Sequence, residues 1–295
     1  MNTIQSTREK AFDWAVYALL TIVSLIVLYP LVFVLVASFS SPEAVMRGEV
    51  WLWPKNITWM GYTKIFQNNE ILTGYLNTIV YTVVGTAINL ILSVAAAYPL
   101  SRKDFAGRNA ISALMVFTMF FSGGMVPTYL LVKNLGMLNT MWALVIPGAV
   151  SVYNIIIMRT FFQSSIPGEM QEAASIDGCS NLGILWKIVL PLSMPIIAVM
   201  ILFYSVGHWN SYFSGLMYLT DRDKYPLQLF LREILIQGQM QEMLGVGDDS
   251  HARNVMEGEA IKYAVVIVAN LPVLMLYPFL QRYFIKGVMI GSVKG

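Results

Sequence analysis

The stretch EAASIDGCSNLGILWKIVLPLSMP, Glu172–Pro195, decides how the rest of the chain is read. Just upstream, Pro167 suits a helix start, where its missing N–H would have no partner anyway. Glu169 follows in the first turn, favoured there by the helix dipole. Met170, Ala173, Ala174 and Asp177 then recur at i, i+3, i+4, i+7, the spacing of one helical face. Gly178 can take the positive φ that ends such a helix. Ser180 can cap the next one. Leu182, Leu185, Trp186 and Val189 repeat the same spacing, and Pro191 stops it. The pattern predicts two short amphipathic helices joined by an elbow. The second is expected to lie along a membrane surface and lead into the apolar run that follows.

The membrane is implied by everything around this stretch. The chain has 295 residues, 57% hydrophobic and 12% charged, with a mean hydropathy of +0.62. A soluble domain carries about 25% charge. Six runs approach the ~20 apolar residues that a spanning helix needs. They cover about 14–38, 72–99, 111–132, 141–161, 195–214 and 262–284. Backbone groups in lipid must pair within their own segment, and the runs lack the alternation of barrel strands, so helices are expected. The first run is far longer than a signal-peptide core of ~7–15 residues and no A-x-A site follows, so it reads as a retained span.

Lys and Arg set the orientation. With the N-terminus inside, the short internal segments hold Arg8, Lys10, Arg102, Lys103, Arg108, Arg159, Lys187, Arg282, Lys286 and Lys294, ten of the nineteen. The remaining nine are spread over long external segments, where eleven of the seventeen acids also fall. The loop SRKDFAGR (101–108) is the clearest internal signal. Both termini are therefore expected in the cytoplasm. Residues 1–13 form a tail, 14–284 the transmembrane domain with its loop 163–194, and 285–295 a second tail. Outside, Trp59, Tyr62 and Phe66 share a helical face and suggest a short interfacial helix, either a membrane anchor or a docking surface. Residues 215–261, with GVGDDSHARNVMEGE near their end, read as an exposed loop.

What is missing narrows the function. The interiors of the six spans contain no Asp, Glu, Lys or Arg, so no relay for proton coupling is evident. Cys179 is the only cysteine, and the two histidines, His208 and His251, stand far apart, so no catalytic or metal-binding set is expected. The dipeptide Gly-Lys never occurs, so there is no phosphate loop and ATP would have to bind another chain. No basic cluster points to nucleic acid. The spans do carry neutral polar groups, among them Asn77, Asn89, Tyr98, Asn154, Tyr204, His208, Trp209, Asn210 and Tyr212. Each must bond another helix or face a wet cavity. Amides that meet hydroxyls and rings that meet C–H faces would suit a sugar, and GHWNSYF (207–213) concentrates both. Asn77, Asn154, Tyr204, His208, Trp209, Asn210 and Tyr212 are the candidate substrate path. An anionic uronate oligomer would favour an Arg or Lys in that path, and the spans offer none.

The helix pair also carries a resemblance. Glu172-Ala173-Ala174, three residues, Gly178, nine residues, then Ile188-x-Leu190-Pro191 resembles the EAA loop of ABC importer permeases without a departure. YPLVFVLVASFSSPE (29–43), PKNITWMGYTKIF (54–66), VPTYLLVKNLGMLNTMWALVIP (126–147) and FIKGVMIGSVKG (284–295) are similar to the carbohydrate-uptake permeases of the maltose-importer type. FFSGGMVPTY (120–129), HWNSYF (208–213) and YPLQLFLREIL (225–235) resemble a subgroup associated with oligosaccharides of complex polysaccharides, alginate among them. The resemblance implies an all-α integral membrane protein of the type I importer architecture, with six spans and a cytoplasmic coupling helix. It implies that Glu172 makes a charged contact with an ATPase subunit. Ala173 and Ala174 would allow close approach, and Gly178 would form the elbow. Asp177, Ile188, Leu190 and Pro191 complete the coupling set. The implied partners are a second, non-identical permease, two ATPase subunits that bind ATP and Mg, an external sugar-binding protein and membrane lipid. The tail from Gly287 to Gly295 would reach the ATPases. The chain itself would hold no cofactor or metal and catalyse nothing. An ion-coupled sugar carrier and a non-transporting scaffold or sensor are the alternatives.

Overall fold

A computed structural model describes residues 7–244 and 249–292, and every regular element in them is helical. In chain order these are α1 (Thr7–Ser38), α2 (Pro42–Met46), α3 (Met60–Gln67), α4 (Asn69–Ser101), α5 (Arg108–Phe120), α6 (Met125–Asn134), α7 (Trp142–Val145) and α8 (Val152–Ser165). There follow α9 (Gly168–Ile176), α10 (Asn181–Leu192), α11 (Met194–Trp209), α12 (Tyr212–Tyr218), α13 (Leu227–Leu244) and α14 (Asp249–Ser292). The chain divides into two compact units, one of residues 1–68 and 233–270, the other of residues 69–232 and 271–295.

In the first unit, α1 leaves its large apolar side chains exposed from Phe12 to Leu31. A helix with no polar face and no burial needs lipid around it. Its outer end is pinned by Ser38 Oγ against Tyr62 Oη (2.8 Å), with Phe39 stacked on Tyr62 at 5.2 Å. The short helix suggested by Trp59, Tyr62 and Phe66 is α3, and Trp59 and Phe66 point outward from it. Gly61 and Ile65 are buried instead. Gly61 lies so close to the backbone of Ala260 that a Cβ there would collide with it.

The second unit is built on α4. Its small and polar positions, Gly74, Thr78, Gly85, Thr86, Asn89, Ser93 and Ala97, are buried, which lets α8 and α11 pack close. At one end, Ala97, Tyr98, Ile155, Met158, Phe162, Ile184, Leu185, Val189, Met200 and Tyr204 form a core that joins α4, α8, α10 and α11.

Several spans differ from their sequence outlines. Among the described residues, three helices are long and apolar enough to cross a membrane, over Lys10–Ser38, Asn69–Ser101 and Val255–Pro278. The 111–132 run is two helices, α5 and α6, bent by 109°. Gly124 supplies the bend with φ +86, a conformation that a side chain resists. The 141–161 run breaks between α7 and α8, after Pro147. The 195–214 run ends at Trp209, and α10 meets α11 at 82°. The exposed loop expected over 215–261 is largely helical, since α12 and α13 occupy much of it and α14 starts at Asp249. Polarity signalled solvent there, but residues such as Leu, Gln, Glu, Arg, Met and Ala are good helix formers whether or not they are polar. Residues 245–248 and 293–295 of the expected loop and tail lie outside the described residues.

Candidate functional site

The helix pair that opens the sequence reading forms as expected up to its elbow. Helix α9 closes on a Schellman motif. Gly178, at φ +77, donates its N–H to the Ser175 carbonyl (3.1 Å), and Cys179 donates to Ala174 (2.9 Å). Ser180 then caps α10, accepting from the Gly183 N–H at 3.2 Å. Beyond the cap the register changes. Pro191 has no N–H for the carbonyl four residues back, and the helix widens to π geometry over Leu185–Val189. Its buried face is Ile184, Leu185 and Val189, with Ile188 and Leu190 partly buried against the core. Leu182 and Trp186, expected on that face, are each 69% exposed.

The other side of the pair is free. Glu172, Ala173, Asp177 and Gly178 are exposed, Ile176 is 87% exposed, and Ala174 tucks against the core. Glu172 has no hydrogen bond or ion pair among the described residues. A groove of about 940 Å³ lies between α9 and the 101–108 loop, lined by Arg102, Lys103, Arg108, Glu169, Gln171 and Glu172 among others.

Two residues outside the candidate coupling set tie this pair to α4. Tyr98 donates its hydroxyl to the Asn181 carbonyl at 3.1 Å. Arg102 forks onto Asp104, Nε to Oδ1 at 2.9 Å and Nη2 to Oδ2 at 2.7 Å, while Nη1 reaches Gln171 Oε1 at 3.3 Å. The bond to Asp104 pushes the Arg102 guanidinium further above its ordinary range, against the opposing effect of burial. The same bond holds the Asp104 carboxyl below the usual carboxylate value.

The candidate substrate residues each have their own neighbours among the described residues. Asn77 donates to the carbonyls of Asp223 (2.7 Å) and Tyr225 (3.1 Å), fastening the 219–226 loop. Tyr204 Oη meets Ser93 Oγ at 2.6 Å. His208 Nε2 meets Asn89 Oδ1 at 2.6 Å, while Asn89 donates to the carbonyls of Gly148 (2.9 Å) and Ala149 (2.8 Å). Those two carbonyls are left over by the break between α7 and α8, so Asn89 satisfies them where lipid could not. Since the Asn89 amide donates to both, its oxygen faces the ring and His208 Nε2 carries the hydrogen. Gly85 leaves room for that ring. Asn154 is buried near the cap of α8, where its own N–H bonds Ser151. Trp209 is buried edge-on to Tyr75 at 5.7 Å, and the Asn210 amide folds back to the Val206 carbonyl at 2.9 Å. Tyr212 alone of the set stands exposed with a charged neighbour, Arg232, whose guanidinium carbon lies 5.8 Å from the ring centre. Among the described residues no group of three His, Cys, Asp or Glu side chains could hold a metal ion.

Known proteins agree with a transport reading. The family described as "Binding-protein-dependent transport system inner membrane component" matches residues 71–290. The chain belongs to that family. The permease is 44% identical, over 98% of its own length and all of the relative's, to the polygalacturonan/rhamnogalacturonan transport system permease protein YtcP of Bacillus subtilis (strain 168). It superposes with a TM-score of 0.85 and 33% identity on a chain of a bacterial ABC transporter involved in the import of the acidic polysaccharide alginate, covering 96% of the permease and 100% of that chain. A chain of a bacterial alginate ABC transporter in complex with an alginate pentasaccharide-bound periplasmic protein shares the fold at 15% identity and a TM-score of 0.58, covering 93% of the permease and 95% of that chain. The permease is thus a membrane transport component of the ABC type.

Proposed function

We propose that this permease carries oligosaccharides cut from acidic polysaccharides across the cytoplasmic membrane, driven by ATP hydrolysed in partner subunits. Two relatives above 30% identity carry such polymers in their names, polygalacturonan in one and alginate in the other. The observation that carries the mechanism is the helix pair from Pro167 to Pro191. One face is built into the core shared by α4, α8 and α11, while Glu172 and Ile176 on the other face are left unpartnered. A device fixed to the spans and bare on the outside can transmit a push from another protein.

In the proposed topology both termini are cytoplasmic and the chain crosses six times: in α1, α4, the bent α5–α6, the broken α7–α8, α11 and α14. The groove beside Glu172 then faces the cytoplasm, where an ATPase subunit would dock. The complete machine holds a second, homologous permease, two ATPase subunits with ATP and Mg, and an external binding protein that delivers the sugar. This chain catalyses nothing in that scheme.

Purification of the assembled complex tests the reading. ATPase and second-permease chains should copurify, and oligogalacturonate or oligoalginate presented on its binding protein should raise ATP hydrolysis. Uptake driven by an ion gradient without ATP in proteoliposomes would replace this reading with a secondary carrier. Partner binding with no flux would replace it with a scaffold.

A further inference from the structure

We propose that Arg232 and Tyr212 form a binding subsite for the carboxylate of a uronate residue at the outer mouth of the transport path. This rests on the oligosaccharide reading above and assigns the charge of the cargo to particular side chains. Tyr212 opens α12, directly beyond the end of α11, and Arg232 lies on α13. Both are exposed, and the guanidinium sits over the ring at 5.8 Å.

The neighbouring cations are already neutralised. Arg222 forks onto Glu70 at 2.8 and 2.9 Å, and Lys224 reaches Asp221 at 2.8 Å. Arg232 has no carboxylate and no hydrogen-bond acceptor among the described residues; its one contact there is the Tyr212 ring. A guanidinium is weakly hydrated, and one lying over an aromatic ring with no acceptor of its own keeps its N–H fork open for a bidentate carboxylate. Phe213, edge-on to Tyr212 at 6.4 Å and half exposed, adds an apolar face suited to the C–H side of a sugar ring. Trp209, buried against Tyr75, fixes the end of α11 below.

The arrangement supplies an open counter-charge. Arg159 lies on one of the proposed crossings, in α8, but its Nη1 is already bonded to Ser112 Oγ at 2.8 Å, whereas Arg232 keeps its fork open. The structure brings together HWNSYF (208–213) and YPLQLFLREIL (225–235), one giving the ring and the other the charge. An acidic side chain of the binding protein would meet the same Arg232, so binding is measured without that protein.

The test is equilibrium binding of labelled trigalacturonate to the whole complex in nanodiscs, without the binding protein. Arg232→Gln should weaken binding about tenfold, the loss expected for a charge-assisted hydrogen-bonding partner. Arg232→Lys, which keeps the charge and loses the fork, should weaken it less than threefold, and molar salt should bring wild type close to the Gln variant. Unchanged affinity in Arg232→Gln overturns the proposal, as does a Lys variant as weak as the Gln variant. So does a defect that appears only when the binding protein is added, which would make Arg232 a protein contact. A wild-type complex that imports a neutral oligosaccharide but binds no trigalacturonate overturns this subsite and the acidic cargo together, whereas trigalacturonate import with unchanged affinity in Arg232→Gln overturns the subsite alone. A complex that imports no oligosaccharide of either charge removes both.

Discussion

Arg102 extends from just beyond the last turn of α4 to Gln171 on α9, Nη1 to Oε1 at 3.3 Å. One residue range thus joins the longest helix of the second unit to the helix that is proposed to meet the ATPase. Tyr98, one turn earlier, makes the matching bond to Asn181 on the far side of the elbow. The pair brackets Gly178, so α9 and α10 should follow α4 as one body. Arg102→Gln keeps an amide but loses the fork on Asp104. Its expected effect is a several-fold rise in ATP hydrolysed per sugar imported, measured in proteoliposomes, with the complex still assembled. A stoichiometry equal to wild type would show that the bond transmits nothing.

The same clamp has a pH signature. Asp104 is held below the ordinary carboxylate pKa by Arg102. A carboxylate with a depressed folded-state pKa contributes stability above its unfolded value, about 3.9, and loses it as pH falls through the folded value. Coupling in wild type should therefore show no loss from this pair between pH 8 and pH 5. An Asp104→Asn variant should behave at pH 7 as wild type does in strong acid, with weakened hold on Arg102. Thermal unfolding of the purified complex across that pH range reads the difference. A transition near pH 6 that vanishes in Asp104→Asn would contradict it.

Gly178 tests the elbow itself. At φ +77 it occupies a conformation that costs any L residue about 1–2 kcal/mol. Nothing lies within 4 Å of a Cβ placed there, so Gly178→Ala is strained by its backbone and not by crowding. The expected outcome is normal membrane insertion with reduced copurification of the ATPase subunits. Glu172→Gln removes an exposed charge without touching the fold, and should show the same partner defect with unchanged thermal stability. Full ATPase recovery in both variants would separate this helix pair from coupling.

The elbow was legible because its signals are local: Pro167, Gly178 and Ser180 each force one backbone state, and the structure shows all three. Periodicity alone failed one turn later. Leu182 and Trp186 share a helical spacing with Leu185 and Val189, but the buried stripe is Ile184, Leu185, Ile188 and Val189, which leaves both outward. The spans were legible as apolar runs, while their breaks were not. Gly124 and Pro147 sit inside runs whose hydropathy stays high through the bend. The candidate substrate residues were chosen because buried amides need partners, and the structure supplies partners for most of them within the protein. Sequence could not say which partner, since Asn89 bonds carbonyls 59 and 60 residues away. Arg232 is the single cation of YPLQLFLREIL (225–235), and nothing in that stretch says that it meets a ring on α12.

Asn89 should therefore matter to stability more than to transport chemistry. Its amide makes three interhelical bonds, two to carbonyls at a helix break and one to His208. Such bonds average about 0.6 kcal/mol each inside membranes, so Asn89→Leu should cost about 2 kcal/mol. The two orphaned carbonyls add to that, because lipid cannot replace their partner. Asn89→Asp would keep an acceptor for His208 but lose the donors, and should be no better. Thermal unfolding in detergent should place both variants below His208→Gln, which loses only one of the three bonds. A His208 variant less stable than the Asn89 variants would relocate the centre of this network to the ring and its seat on Gly85.

Asn139 does for the 219–226 loop what Asn89 does for the break between α7 and α8, with a backbone constraint added. Its Oδ1 accepts from the Thr220 and Asp221 N–H groups, each at 3.1 Å, and its Nδ2 donates to Asp221 Oδ2 at 2.6 Å. It also sits at φ +59, where asparagine is tolerated and most residues are not. Lys224 first and Asn139 second hold the Asp221 carboxyl below its ordinary pKa, so this clamp persists at neutral pH. Two substitutions separate the contributions. Asn139→Gly keeps the backbone conformation and loses the side-chain bonds. Asn139→Ala loses the bonds and adds about 1 kcal/mol or more of backbone strain. The Ala variant should unfold at the lower temperature, and both should loosen the 219–226 loop toward protease. Equal stability of the two would mean that the loop relaxes to another conformation at position 139, and that the side-chain bonds alone hold it.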